Sequence, residues 1–157
     1  MSSKNAASNK IIIIGLENGV NLVAQYNPKE IGLDKSVPWQ KGKNSKANTP
    51  DLEFTSADGR SLSVELFFDT FEEQTDVHAK YVAKLLKLAE VMDENGSEEK
   101  KRPTRVKVKW GSLPEFQGVL ESISTKYTMF LPNGTAVRAT CSCKFKEASR
   151  LSFKKGE

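Results

Sequence analysis

Cysteine and histidine are scarce in this 157-residue sequence, which has two cysteines, Cys141 and Cys143, and one histidine, His78. Residues i and i+2 of a strand share a face at about 6.5–7 Å, too far for an unstrained disulfide. No second Cys/His pair exists to complete a zinc site, so both cysteines are expected as small buried thiols. One histidine cannot build a triad or a metal cluster without partners that the sequence does not mark; His78 reads as a solvated position in the first turn of a helix. Long apolar runs are also missing. Ile11–Ile14 is the longest apolar start near the N-terminus, far short of the roughly 20 residues of a membrane helix or the roughly 7–15 of a secretory core. Direct membrane insertion is therefore not expected, and a reducing cytoplasm is the expected site of synthesis. Phosphate-binding loops, dinucleotide fingerprints and nucleophile elbows are absent as well. No cofactor, metal or catalytic residue is predicted.

Charge is plentiful but mixed. Lys and Arg number 24 against 20 Asp and Glu, a net charge of +4. That excess permits contact with nucleic acid without requiring it, because acids are interspersed almost everywhere. An OB-like single-strand binder would need exposed aromatics for stacking and a coherent lysine track. Here the main aromatics, Phe68, Tyr127 and Phe145, fall at inward positions and the lysines scatter over several strands. The length suits one domain able to bury a core unaided. Residues 10–147 are read as that domain, between a disordered Ser/Asn/Lys-rich tail (1–9) and a basic tail (148–157).

Most of the chain alternates at period two, the mark of half-buried strands. Ile11–Ile14 and Leu22–Tyr26 flank Glu17-Asn18-Gly19, a hairpin signal in which both turn positions favour positive φ. A short extended piece follows at Ile31–Leu33. Ser36–Pro50 is polar and basic with a lone Trp39, a long loop of the kind that is functional or mobile. Leu62, Val64, Leu66 and Phe68 line one strand face, with Ser61, Ser63 and Glu65 on the other. Val77, Tyr81, Leu85, Leu88 and Met92 form a helical stripe, predicting one helix over Asp76–Met92 with Thr75 or Asp76 as N-cap, ended by Asn95-Gly96. Val106, Val108 and Trp110 form another strand.

The last third reads as a long hairpin. Val119, Glu121, Ile123, Thr125, Tyr127 and Met129 share one face, Leu131-Pro132-Asn133-Gly134 turns the chain, and Val137, Ala139, Cys141, Cys143 and Phe145 return inward. The predicted fold is mainly β, an antiparallel barrel or sandwich of seven or eight strands with one α-helix inserted between two strand groups. Phe68, Tyr127, Val64 and Cys143 are predicted core.

The one stretch that suggests acid/base chemistry is SLSVELFFDTFEEQ, where Asp69, Glu72 and Glu73 crowd the end of a strand. Catalytic carboxylates converge from different elements, with one pKa raised by burial. These three share a single turn before a helix N-terminus, whose dipole favours acids. They are read as a strand exit into water.

Four segments together carry a family resemblance: VAQYNPKEIGLDKSVPW (23–39), DLEFTSADGRSLSVELFFDTFEE (51–73), VAKLLKLAEV (82–91), and VKWG with FQGVLESISTKYTMFLPNGTAVRATCSCKFKE (108–147). In order and without large gaps over residues 10–147, they resemble the tube-like adaptor of contractile injection systems, phage-tail-like particles of bacteria. The resemblance implies a fold similar to inner-tube subunits and a six-fold ring joining the central spike to the inner tube within the baseplate. Expected partners are copies of itself in a homo-hexameric ring, the inner-tube protein, the spike (hub) protein and other baseplate subunits, with no nucleic acid. The expected location is the producing bacterium's cytoplasm, then the assembled particle, whether released or membrane-tethered. Longer members carry a C-terminal LysM domain, which these residues do not include. The inner-tube protein of the same particle is the alternative, and the single-strand binder a second one.

A ring subunit needs sheet edges and arms that neighbours complete. The candidates for such contacts are Trp39, Lys41 and Lys43 in the basic loop, and Leu131, Pro132 and Asn133 at the hairpin turn.

Overall fold

Strands of alternating polarity need partners for their backbone and a cover for their apolar face, and the nine strands among the described residues meet these needs to different degrees. The computed structural model describes residues 9–42 and 48–149. The predicted tails at 1–9 and 148–157 lie almost wholly outside these residues, as does Lys43. The strands are β1 (Ile12–Gly15), β2 (Asn21–Val23), β3 (Ile31–Asp34), β4 (Trp39–Lys41), β5 (Leu52–Phe54), β6 (Ser61–Asp69), β7 (Val106–Lys109), β8 (Phe116–Phe130) and β9 (Ala136–Glu147). Seven form one antiparallel sheet in the order β2-β1-β7-β8-β9-β6-β3; β4 and β5 pair only with each other.

One side chain ties the residue after edge strand β2 to the end of β6, the strand next to the opposite edge. The Gln25 carboxamide accepts from Asp69 N–H and donates to Asp69 C=O, both at 2.8 Å. It imitates a ladder pair and satisfies two backbone groups at the end of β6. At the other end of β6, Arg60 fastens the neighbouring strand β9, its guanidinium and backbone N–H both donating to the Glu147 carboxylate.

The core follows the predicted faces. Leu62, Val64, Leu66 and Phe68 of β6 and Val137, Ala139, Cys141, Cys143 and Phe145 of β9 are buried. Between β6 and β7 stand α1, in which a π-type turn His78–Val82 runs into the α-helical turn Ala83–Lys87, and a short 3-10 turn, Glu98–Lys100. Val77, Leu85 and Leu88 are fully buried, and Tyr81 stacks on Phe68 with centroids 4.7 Å apart.

Four expectations are corrected. The helix is far shorter than Asp76–Met92. After Leu88 the chain turns, and Met92 N–H donates to Arg102 C=O, leaving Asn95-Gly96 in a separate turn. The Asn18-Gly19 loop has positive φ only at Gly19; Asn18 instead donates its side-chain amide to Lys87 C=O and accepts from Val20 N–H. In β8 the ladder shifts between Leu120 and Ser122, so Glu121 is an extra residue. Such a bulge flips the parity of every residue beyond it: Phe116 and Leu120 are buried, not Val119 and Glu121, while Ile123, Thr125 and Tyr127 are half-buried. Tyr127 is therefore a rim residue rather than full core. Lastly, the start of the Ser36–Pro50 loop is a strand, with Trp39, Gln40 and Lys41 opposite Phe54, Glu53 and Leu52.

Candidate assembly interface

The β4–β5 ribbon carries three of the most exposed large apolar side chains among the described residues. The cross-strand pairs Trp39–Phe54 and Lys41–Leu52 place these four side chains on one face. The rings of Trp39 and Phe54 lie 5.4 Å apart, tilted by 59°. Even so, Trp39 is 53% exposed, Phe54 57% and Leu52 59%. An isolated two-stranded hairpin is marginal in water, and here the apolar face of one is left uncovered. Among the described residues of the ribbon, Lys41 is the only charge on that face, since Glu53 opposes Gln40 and so lies on the other.

A second surface lies beside β3. On the outward faces of β6, β9 and β8, small side chains meet in register: Ser63 faces Lys144, which faces Ser122; Glu65 faces Ser142, which faces Ser124. Four serines where larger side chains could stand leave a groove of about 970 Å³. One wall is aromatic, with Tyr26 and Phe67 at 5.8 Å between centroids and 49% and 40% exposed. Pro28 and Ile31 extend that wall, and Lys29 and Glu30 rim it.

The hairpin turn residues sit elsewhere. Leu131 is half-buried, Pro132 and Asn133 are exposed, and Gly134 has φ of 90°. Asn133 Oδ1 accepts from Thr135 N–H. Asn133 and Gly134 line a shallow cleft of about 540 Å³ with Asp76, His78, Tyr127 and Phe130, so the tip lies beside the start of α1. The structure thus brings Trp39 and Lys41 together and separates them from Leu131, Pro132 and Asn133.

The acidic turn is dispersed among cations and backbone donors. Asp69 accepts from Phe71 N–H at 2.9 Å and pairs with Arg138 at 3.0 Å. The Phe71 bond first, and Arg138 second among favourable contacts, hold its carboxyl below the usual range. Glu73 pairs with Lys80, and Glu72 is exposed. A general acid needs the reverse, a carboxyl raised by burial. His78 is exposed but hydrogen-bonds the Tyr127 hydroxyl across from β8 through Nδ1, and Asp76 Oδ1 caps its backbone N–H. Cys141 and Cys143 are buried and unpaired; burial pushes the Cys143 thiol up to about 12. Among the described residues no three metal-ligating side chains cluster, and no helix is long and apolar enough to cross a membrane.

Sequence reasoning singled out Trp39 but missed Leu52, Phe54, Tyr26 and Phe67. Phe67 carried a signal: it stands among Ser61, Ser63, Glu65 and Asp69 on the polar phase of β6, where an aromatic is out of place.

A family model described as contractile injection system tube protein matches residues 12–155. The chain belongs to that family. This bears out the resemblance to contractile injection system tube-like proteins and, within it, favours the tube reading over the spike–tube adaptor. Among solved structures, the chain is similar to one from the tail of an empty GTA particle, determined by helical refinement with C6 symmetry. That match has 16% identity and a TM-score of 0.46, and covers 94% of this chain and 96% of that one. Comparison with curated proteins gives no match.

Proposed function

We propose that this chain is a non-catalytic tube subunit of a contractile injection particle, one that assembles with copies of itself into rings that stack. The observation that carries the reading is the β4–β5 ribbon. It offers Trp39, Leu52 and Phe54 to solvent on a single face, and aromatic anchors of this kind dominate protein–protein contacts. The open edges of β2 and β3 add unpaired backbone that a neighbour can complete. Position in the baseplate, between spike and tube, is the finer alternative. It predicts discrete rings that need spike or tube partners, whereas a tube subunit polymerises by itself.

The test is assembly of the purified chain. Sedimentation velocity and negative-stain imaging across a concentration series should show rings or tubes. Trp39→Ala should suppress them while leaving the melting temperature of the subunit within about 2 °C, since an exposed side chain outside the core contributes within about 0.5 kcal/mol. Unaltered assembly of Trp39→Ala, or a large loss of its melting temperature, would count against the ribbon as an interface.

A further inference from the structure

We infer that the β4–β5 ribbon of one copy docks into the serine-floored groove of a second copy, with Trp39 and Phe54 packed against Tyr26 and Phe67 and Lys41 placed over Glu65. This rests on the self-assembly reading above and names the surface that receives the arm.

Three observations converge. The first is that ribbon and groove each leave an aromatic pair half in water, Trp39–Phe54 on the ribbon and Tyr26–Phe67 on the groove wall. The second is shape. The ribbon face carries two rings and a leucine, and the groove is a trough of about 970 Å³ whose floor holds four serines with Glu65 and Lys144 among them. Docked together, the ribbon face and the aromatic wall of the trough bury apolar area that neither can bury alone.

The third is charge. Among the described residues, Lys41 is the single charge on the apolar face of the ribbon. In the groove, Glu65 faces Ser142 rather than a cation, and it belongs to none of the ion pairs among the described residues. A lysine brought over it meets a carboxylate without displacing an existing partner. Cross-copy placement also agrees with the chain's own geometry: residues 35–38 join β3 to β4, and with that short link the ribbon leaves its own aromatic face exposed instead of covering its own groove.

Disulfide trapping tests this directly, because both native cysteines are buried and unpaired. Chains carrying only Lys41→Cys and chains carrying only Glu65→Cys, mixed and mildly oxidised, should give a mixed disulfide dimer. The double variant should give a ladder of higher species. Charge exchange gives a second readout. Lys41→Glu should raise the concentration needed for assembly by about two- to fivefold, and Lys41→Glu with Glu65→Lys should restore it. Phe67→Ala and Trp39→Ala should each raise it by about thirtyfold or more. Wild-type assembly, with no mixed disulfide from the two single-cysteine variants and no charge rescue, overturns the docking and leaves self-assembly standing. A disulfide formed within single monomers of the double variant overturns the cross-copy placement. A wild-type chain that stays monomeric, with no trapped dimer from the variants at any concentration, overturns both readings.

Discussion

Glu17 receives two arginines from 85 and 88 residues further along the chain. Arg102 meets it with a bidentate fork, Nη1 to Oε1 at 2.9 Å and Nη2 to Oε2 at 2.7 Å, and Arg105 adds its backbone N–H. Planar, charge-assisted pairs of this kind are the stronger class of hydrogen bond. The Arg102 bonds foremost lower the Glu17 carboxyl from 4.5 to about 2. Because the folded value lies below the unfolded one, the stabilisation is present in full above about pH 4.5 and is lost as pH falls through 2. Glu17→Gln should therefore be less stable than the wild type by about 1–2 kcal/mol at pH 7. That gap should shrink below pH 4.5 and close near pH 2. Denaturant melts of both proteins at pH 7, 4 and 2.5 measure it, and a gap that stays constant would refute the assignment.

Among elements, β8 is held between β7 and β9 at Gly118, which pairs with Val106 on one side and Glu147 on the other. A Cβ added there would stand 1.9 Å from the Lys146 carbonyl oxygen and 2.9 Å from the Glu147 Cα. Both neighbours are backbone, so neither can rotate aside. Gly118→Ala should thus cost about 1–3 kcal/mol through forced separation of the strands. A thermal melt indistinguishable from wild type would show that the ladder opens there at no cost. The Glu121 bulge acts on the same strand three residues later. It turns β8 so that its first half buries Phe116 and Leu120 while its second half offers Tyr127 to His78.

Over the whole molecule, cohesion is graded. Strand β9 is paired on both sides, with β6 and with β8, and its inward residues are fully buried. The β4–β5 ribbon has one partner strand apiece and no buried residue. Local opening costs least where buried apolar contacts are few. Hydrogen exchange of the unassembled subunit should therefore be slowest in β6, β8 and β9 and fastest in β4 and β5, and the ribbon amides should slow on assembly. Equal protection of ribbon and central strands in the free subunit would show that the ribbon already packs on its own domain.

Much of this was readable from residues alone. Period-two faces located Leu62 to Phe68 and Val137 to Phe145 because a strand's side chains alternate whatever the strand pairs with. The helical stripe placed Val77, Leu85 and Leu88 inward, and the acidic turn was recognisable as a strand exit because its three carboxylates share one loop. Other features needed the tertiary structure, since each depends on a partner distant in sequence. The parity of β8 changes at Glu121 through its ladder with β9, which no local pattern encodes. The helix stops after Leu88 because residues near Met92 pair with Lys100 and Arg102 instead. Whether Trp39 and Phe54 face core or water was likewise undecidable from alternation, which reports that two faces differ and not what lies against either. Only the pairing of β4 with β5, apart from the sheet, leaves those rings in solvent.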